Sequence, residues 1–318
     1  MMSVISHTET KELSKHSSIA DILELFIASQ DVKQSSKDLY SRTIKQYIEW
    51  IEASGINLKD VTRAYIIAYK EHLLTKGLSS LSVGSYLTVV RKFYEWTEAN
   101  KIYPNVAKGI KTPKRKQAFK KQPLTPAQTI KLLDYFKTQT DGLRDYAIIN
   151  LLLRTGLRTI EAINANIEDI TFKHDKRVLL VQGKGEVEKN NFVILTEKAY
   201  EPIMAYIDST GGYAKKASSE PLFTSISNNN QGKRLTTRTI SKIAKEGLKA
   251  IGLDSKHLTA HSLRHTLAVS ILRAGGSLAD AQGVLRHANP ATTQIYTRSI
   301  DEEIRIKNAP ESLIDSLY

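Results

Sequence analysis

Six side chains of this sequence have the types that a reaction at a phosphodiester needs: Arg158, Lys184, His261, Arg264, His287 and Tyr296. Two guanidiniums can fork onto the non-bridging oxygens and stabilise the charge of a pentacoordinate transition state without a metal. A phenol, with a pKa of ~10, needs a partner to take its proton, and a nearby imidazole can do so. An ammonium can protonate the departing sugar hydroxyl. The set lacks the carboxylate cluster of a two-metal nuclease, so neither a metal nor a cofactor is expected.

Taken singly, each pattern has an ordinary explanation. In LLLRTGLRTIEAI, Arg158 follows a glycine turn and opens a helix with Glu161 three residues on, the spacing of a surface ion pair. Lys184 lies within GKG, where a turn lysine is usually solvated, although the placement also puts a mobile ammonium on a projecting finger. In TAHSLRH, His261 and Arg264 stand at i and i+3 and share a helix face, while His265 is better placed for packing. In HANPATTQIYTRS, a histidine precedes a tyrosine by nine residues, and a helical tyrosine is ordinarily half-buried core. Their occurrence together carries the meaning.

The elements that must position these groups are legible from periodicity. Apolar stripes of period 3.6 mark four helices in the first half. Ile19, Leu23 and Phe26 lie on one, and Leu39, Ile44, Tyr47, Ile48 and Ile51 on a second that ends at Gly55. Ile66, Ile67, Tyr69, Leu73 and Leu74 define a third, ended by Gly77, and Leu81, Tyr86, Leu87, Val90, Phe93 and Trp96 a fourth. Thr125-Pro126 supplies an N-cap and a first-turn proline for a new helix. Further helices are predicted over 126–138, 142–155, 159–165, 197–209, 237–250, 260–274, 277–286 and 290–298. Two β-like runs, RVLLVQ (177–182) and FVIL (192–195), flank a glycine-containing turn and predict a hairpin. The expected fold class is α+β, mainly helical: a small all-α module, a basic linker and a larger domain with a small sheet. The expected boundaries are an extension over 1–16, the helical module over 17–110, the linker over 111–123, the larger domain over 124–298 and a tail over 299–318.

Composition narrows the partner. The 318 residues carry a net charge of +13, contain no cysteine and are 41% hydrophobic; disulfides, thiolate catalysis and cysteine-based zinc sites are excluded. No apolar run reaches the length of a membrane span, and the polar start MMSVISHTETKELSKHSS lacks the apolar core of a signal peptide. A cytoplasmic protein with no membrane partner is expected. The charge is 0 over residues 1–16, +2 over 17–110, +6 over 111–121 and +5 over 122–318. Lys111, Lys114, Arg115, Lys116, Lys120 and Lys121 therefore concentrate almost half of the excess in one short run, either a solvated linker or a strap across a phosphate backbone.

In order and spacing, TGLRTIEAI, QGKGEVEKNNFVIL, TAHSLRHTLAVSILRAGG and LRHANPATTQIYTR resemble the motifs of the tyrosine recombinases, the Xer-type and phage-integrase group. The resemblance covers 125–298, and 17–110 is similar to the family's SAM-like core-binding domain. It implies a site-specific recombinase acting on double-stranded DNA through a 3′-phosphotyrosine intermediate, without ATP; integration, excision, chromosome-dimer resolution and inversion are chemically identical, and a mobile-element integrase is preferred only because such genes are common. Arg158 and Arg264 would bind the scissile phosphate and Lys184 would be the general acid. His261 would assist proton transfer at Tyr296, the nucleophile. His287 would hydrogen-bond the phosphate, and Glu161 would buttress the site. A tetramer is implied on two duplexes, with the tail of each protomer docking on its neighbour. The alternatives are a type IB topoisomerase, which uses the same residue types, and a non-catalytic DNA-binding regulator of the same fold. The sequence departs from the family pattern at Arg286, where glycine is usual. That arginine either adds a cation beside the site or points to solvent, and solvent is the expectation. A further departure is that residues 1–16 are too short for a separate arm-binding domain.

Overall fold

Capping residues fix where the helices of the N-terminal half begin. Ser18 and Asp21 exchange side-chain to backbone hydrogen bonds at the start of α1 (Ile19–Ala28), and Ser79 caps α4 (Ser80–Ala99). Between them run α2 (Gln34–Ala53) and α3 (Arg63–Thr75). The computed structural model describes residues 18–114, 122–140, 142–183, 186, 188–212, 219–287 and 315. The chain divides into two compact units, Met1–Ala118 and Phe119–Tyr318.

The first unit is the all-α module that the stripes predict. Phe26, Ile44, Ile66, Val83, Val90 and Phe93 form its centre, all fully buried. Phe26 meets Phe93 edge to face at 5.4 Å, and Tyr47 meets Tyr69 at 5.0 Å. The Tyr47 and Tyr94 hydroxyls lie 2.8 Å apart. The Tyr69 hydroxyl, also buried, finds no hydrogen-bond partner among the described residues. Burial pushes all three phenols far above their ordinary pKa and keeps them neutral. Three stripe residues differ from expectation: Leu39, Ile67 and Leu81 are exposed. On α3 the buried face is Ile66, Tyr69 and Leu73, which turns the adjacent Ile67 away. Leu81 precedes the point where burial of α4 begins, at Val83.

The second unit is built around α6 (Leu143–Thr155), whose residues from Ala147 to Leu153 are at most 6% exposed. A helix apolar on every side belongs in the middle of a core. Against it pack α5 (Pro126–Lys137), α8 (Glu197–Ser209), α9 (Thr237–Ala250) and α10 (Ala260–Arg273). Thr125 and Gln128 form the capping box of α5, with Pro126 in its first turn. The short α7 (Thr159–Asn164) and α11 (Leu278–Leu285) complete the helices among the described residues.

The sheet differs from the predicted hairpin in having a third strand. β1 (Ile170–Lys173), β2 (Lys176–Val181) and β3 (Asn191–Ile194) form an antiparallel sheet in the order β1-β2-β3. Lys173 pairs with Lys176 and Leu179 with Val193. The β1–β2 turn is the pair His174-Asp175, with φ of +44° and +57°, the geometry that normally selects Asn-Gly. The predicted helix over 290–298 lies outside the described residues.

Candidate active site

The site begins where α6 stops. Gly156 takes φ +61°, and a Cβ there would lie 2.7 Å from Leu285 Cδ2 and 3.0 Å from Leu267 Cδ2. Only glycine fits both the backbone and the close approach. This turn delivers Arg158 to the N-cap of α7. Its backbone N–H donates to Glu161 Oε2 at 2.8 Å and its Nη1 donates to Oε1 at 2.6 Å. The i,i+3 pair is no surface bridge, because Glu161 is 3% exposed. Burial alone would raise its pKa, but Arg286 and Arg158 outweigh that and hold the carboxyl below the usual carboxylate value.

Arg264 is the largest fully buried side chain of the described residues, at 1% exposure. From α10 its Nη1 donates to the Gly156 carbonyl and its Nη2 to the Leu285 carbonyl. One guanidinium thus joins the turn before Arg158 to the end of α11. The same junction is closed by apolar packing of Ala268 and Val269 against Leu285.

Beyond α11 the chain turns sharply. Arg286 has φ +53° and ψ +48°. Its N–H donates to the Gly283 carbonyl at 3.0 Å and that of His287 to the Gln282 carbonyl at 3.2 Å, the bonding of a Schellman C-cap. Gln282 Nε2 returns a bond to the His287 carbonyl at 3.2 Å. The Arg286 side chain does not point to solvent as expected. It is 12% exposed, and its Nη2 donates to Glu161 Oε2 at 2.7 Å. The reason lies in the carboxylate's acceptor capacity: after its two bonds from Arg158, Glu161 keeps lone pairs that a second guanidinium within reach can fill. Sequence reasoning missed this contact, and the non-glycine residue ahead of His287 was the available signal.

His287 is where these charges meet. Its pKa is pushed down to about 4 by burial, then by the charges of Arg264, Arg158, His261 and Arg286, so its imidazole is neutral at pH 7 in this state. His261 is exposed, and its ring stands edge-on to that of the buried His265 at 4.8 Å. The structure therefore brings Arg158, His261, Arg264 and His287 together around Glu161 and Arg286. Lys184 and Tyr296 lie outside the described residues, as do Arg115, Lys116, Lys120 and Lys121. Lys111 and Lys114 are exposed. Beside β3, Lys189 pairs with the buried Asp169 at 2.5 Å and Asn191 donates to Glu186 at 2.8 Å. Among the described residues no group of three or more His, Asp or Glu side chains could hold a metal ion. No described helix is long and apolar enough to cross a membrane.

Residues 122–303 match the phage integrase family, and residues 23–101 match the phage integrase N-terminal SAM-like domain. The chain belongs to the phage integrase family. It is a tyrosine recombinase, an enzyme of DNA strand breakage and rejoining. It is 31% identical over 268 residues to a tyrosine recombinase of Pseudothermotoga lettingae, covering 83% of this chain and 87% of the relative. Against the tyrosine recombinase XerD of Staphylococcus epidermidis it is 31% identical over 296 residues, covering 90% and 95%. The fold is also that of the XerH site-specific recombinase, solved in a post-cleavage complex on a palindromic difH substrate. That structure has a TM-score of 0.70 at 18% identity, covering 91% of this recombinase and 84% of that chain.

Proposed function

We propose that this recombinase cuts and rejoins DNA at specific sites through a 3′-phosphotyrosine on Tyr296, serving the integration and excision of a mobile element. The Tyr296 oxygen attacks phosphorus, its proton passing toward His261, while the bond to the 5′-oxygen breaks and Lys184 protonates that oxygen. The phosphotyrosine keeps the energy of the broken bond, so the 5′-hydroxyl of a partner strand reverses the step without ATP. Arg158 and Arg264 carry the charge of the transition state in place of a metal. Neutral His287 donates one hydrogen bond to the phosphate, and Glu161 orients Arg158. The observation that carries this reading is the single frame in which Arg264 joins the Arg158 turn to the His287 turn.

The partner is duplex DNA in the cytoplasm. Lys111, Lys114, Arg115, Lys116, Lys120 and Lys121 supply affinity through the phosphate backbone rather than base readout. The segment 299–318, with Ile304, Ile306, Leu313, Ile314 and Leu317, is too small to form a core alone. It docks on a neighbouring protomer, giving a tetramer on two duplexes.

The test is a nicked suicide substrate carrying the recombination site. Wild type should form a covalent protein–DNA adduct that EDTA does not suppress. Tyr296→Phe should form none while binding DNA within about twofold of wild type, since it removes a hydroxyl and no cation. An adduct with Tyr296→Phe would move the nucleophile elsewhere. Relaxation of a plasmid lacking the site would favour a topoisomerase.

A further inference from the structure

Arg286 occupies a position where its backbone and its side chain have opposite preferences. The left-handed conformation, φ +53°, is unfavourable for a residue with a Cβ and costs glycine nothing. The side chain is nevertheless folded in. Nη1 donates to the Val284 carbonyl at 3.1 Å and Nη2 to Glu161 Oε2 at 2.7 Å. The same Oε2 accepts the Arg158 N–H, and Oε1 accepts the Arg158 side chain. One carboxylate is thus shared by the guanidinium of Arg158, three residues before it, and that of Arg286, 125 residues after it.

Two consequences follow from that sharing. Geometrically, Glu161 cannot rotate without breaking bonds to both segments, so the plane of the Arg158 guanidinium is fixed relative to the turn that carries His287. Electrostatically, a buried carboxylate facing Arg158 alone would cancel its charge. With Arg286 present, one net positive charge remains for an incoming anion.

We propose that Arg286 is a positioning residue of the recombinase: through Glu161 it registers Arg158 against His287 and leaves Arg158 charged toward the phosphate. This extends the proposed strand cleavage and rests on it. Arg286 itself does not contact the DNA. A residue that bound DNA would give affinity, whereas a positioning residue acts on the rate of the chemical step.

The experiment is single-turnover adduct formation on the suicide substrate, with half-site binding measured over a range of salt and thermal melting as a control. Arg286→Gly should slow adduct formation at least tenfold while Kd stays within twofold and the salt slope is unchanged. Glycine in the left-handed turn offsets part of the lost bond to Glu161, so the variant should remain folded, and the rates are compared well below its melting temperature. Arg286→Lys, which keeps a cation within reach of Glu161, should recover at least threefold of the lost rate. In a Glu161→Gln background Arg286→Gly should change the rate less than twofold. A wild-type rate in Arg286→Gly would overturn the proposal, as would multiplicative losses with Glu161→Gln or no recovery by lysine. A salt slope reduced by about 0.9, the value of one lost phosphate contact, would show that Arg286 binds DNA directly. If wild type itself forms no adduct, the strand-cleavage reading fails instead.

Discussion

The two units of the recombinase bury polar groups by opposite strategies. The N-terminal module hides three phenols, Tyr47, Tyr69 and Tyr94, and keeps them neutral. The second unit buries ions: Arg264 at 1% exposure, Glu161 at 3% and Asp169 at 4%. A neutral hydroxyl can be buried with one hydrogen bond or none at modest cost, whereas a buried ion requires partners fixed in place. The interior of the second unit is therefore the stiffer one electrostatically. Two of these ions, Glu161 and Arg264, sit where three separated segments, 156–161, 264 and 285–287, must hold a common geometry.

The comparison breaks first at Arg264. An ammonium cannot span the Gly156 and Leu285 carbonyls, so Arg264→Lys should leave one of them unsatisfied. We expect a loss of about 2–4 kcal/mol in the second unit and a fall of about 10³-fold in adduct formation. Urea unfolding followed by a probe in each unit checks this, because the transition of the N-terminal module should not move. A concerted shift of both transitions would remove the distinction between the two interiors.

A smaller effect sharpens the electrostatic half. The pKa of His287 is depressed to about 4 by burial and by Arg264, Arg158, His261 and Arg286. For a histidine lowered in the folded state, protons bind the unfolded chain first. Stability is then full above about pH 6.5 and is lost as pH falls toward 4. Between pH 6.5 and 5, His287→Gln should flatten the decline. Glu161 adds to the decline only below that range, its carboxyl being lowered from 4.5. Adding duplex DNA should raise the His287 pKa, which NMR titration reads directly.

The smallest effects belong to the phenols. Tyr47→Phe should cost about 1 kcal/mol by orphaning the Tyr94 hydroxyl, while Tyr47→Phe with Tyr94→Phe should cost less than the single change. Tyr69→Phe should be neutral or slightly stabilising, since that hydroxyl has no partner among the described residues. Thermal melting of the three variants measures this series. A large loss in Tyr69→Phe would mean that the module, too, depends on a polar interior.

Most of the frame was legible because it follows from periodicity and caps. The stripes through Ile44, Tyr47 and Ile51, the Thr125-Pro126 start of α5 and the Arg158–Glu161 spacing all appear in the structure as helices, caps and contacts. The two misses share one cause. The strand β1 was hidden because its turn, His174-Asp175, adopts left-handed backbone without the glycine that advertises such turns. The inward course of Arg286 was hidden for the same reason, since a left-handed turn sent its side chain back over Glu161. Leu39, Ile67 and Leu81 show a different limit: a stripe marks a face, while exposure depends on which neighbours reach it.

The span of the Arg264 bridge bears on how the enzyme is made. Its guanidinium reaches back 108 residues to Gly156 and forward 21 to Leu285. During synthesis from the N-terminus, Arg158 and Glu161 leave the ribosome long before the residues that align them. The N-terminal module, which has a core of its own, can therefore be complete while the frame around Glu161 does not yet exist. A chain ending before residue 285 lacks the carbonyl that Arg264 Nη2 holds and the turn that carries Arg286 and His287, so that frame closes only once the end of α11 has been made.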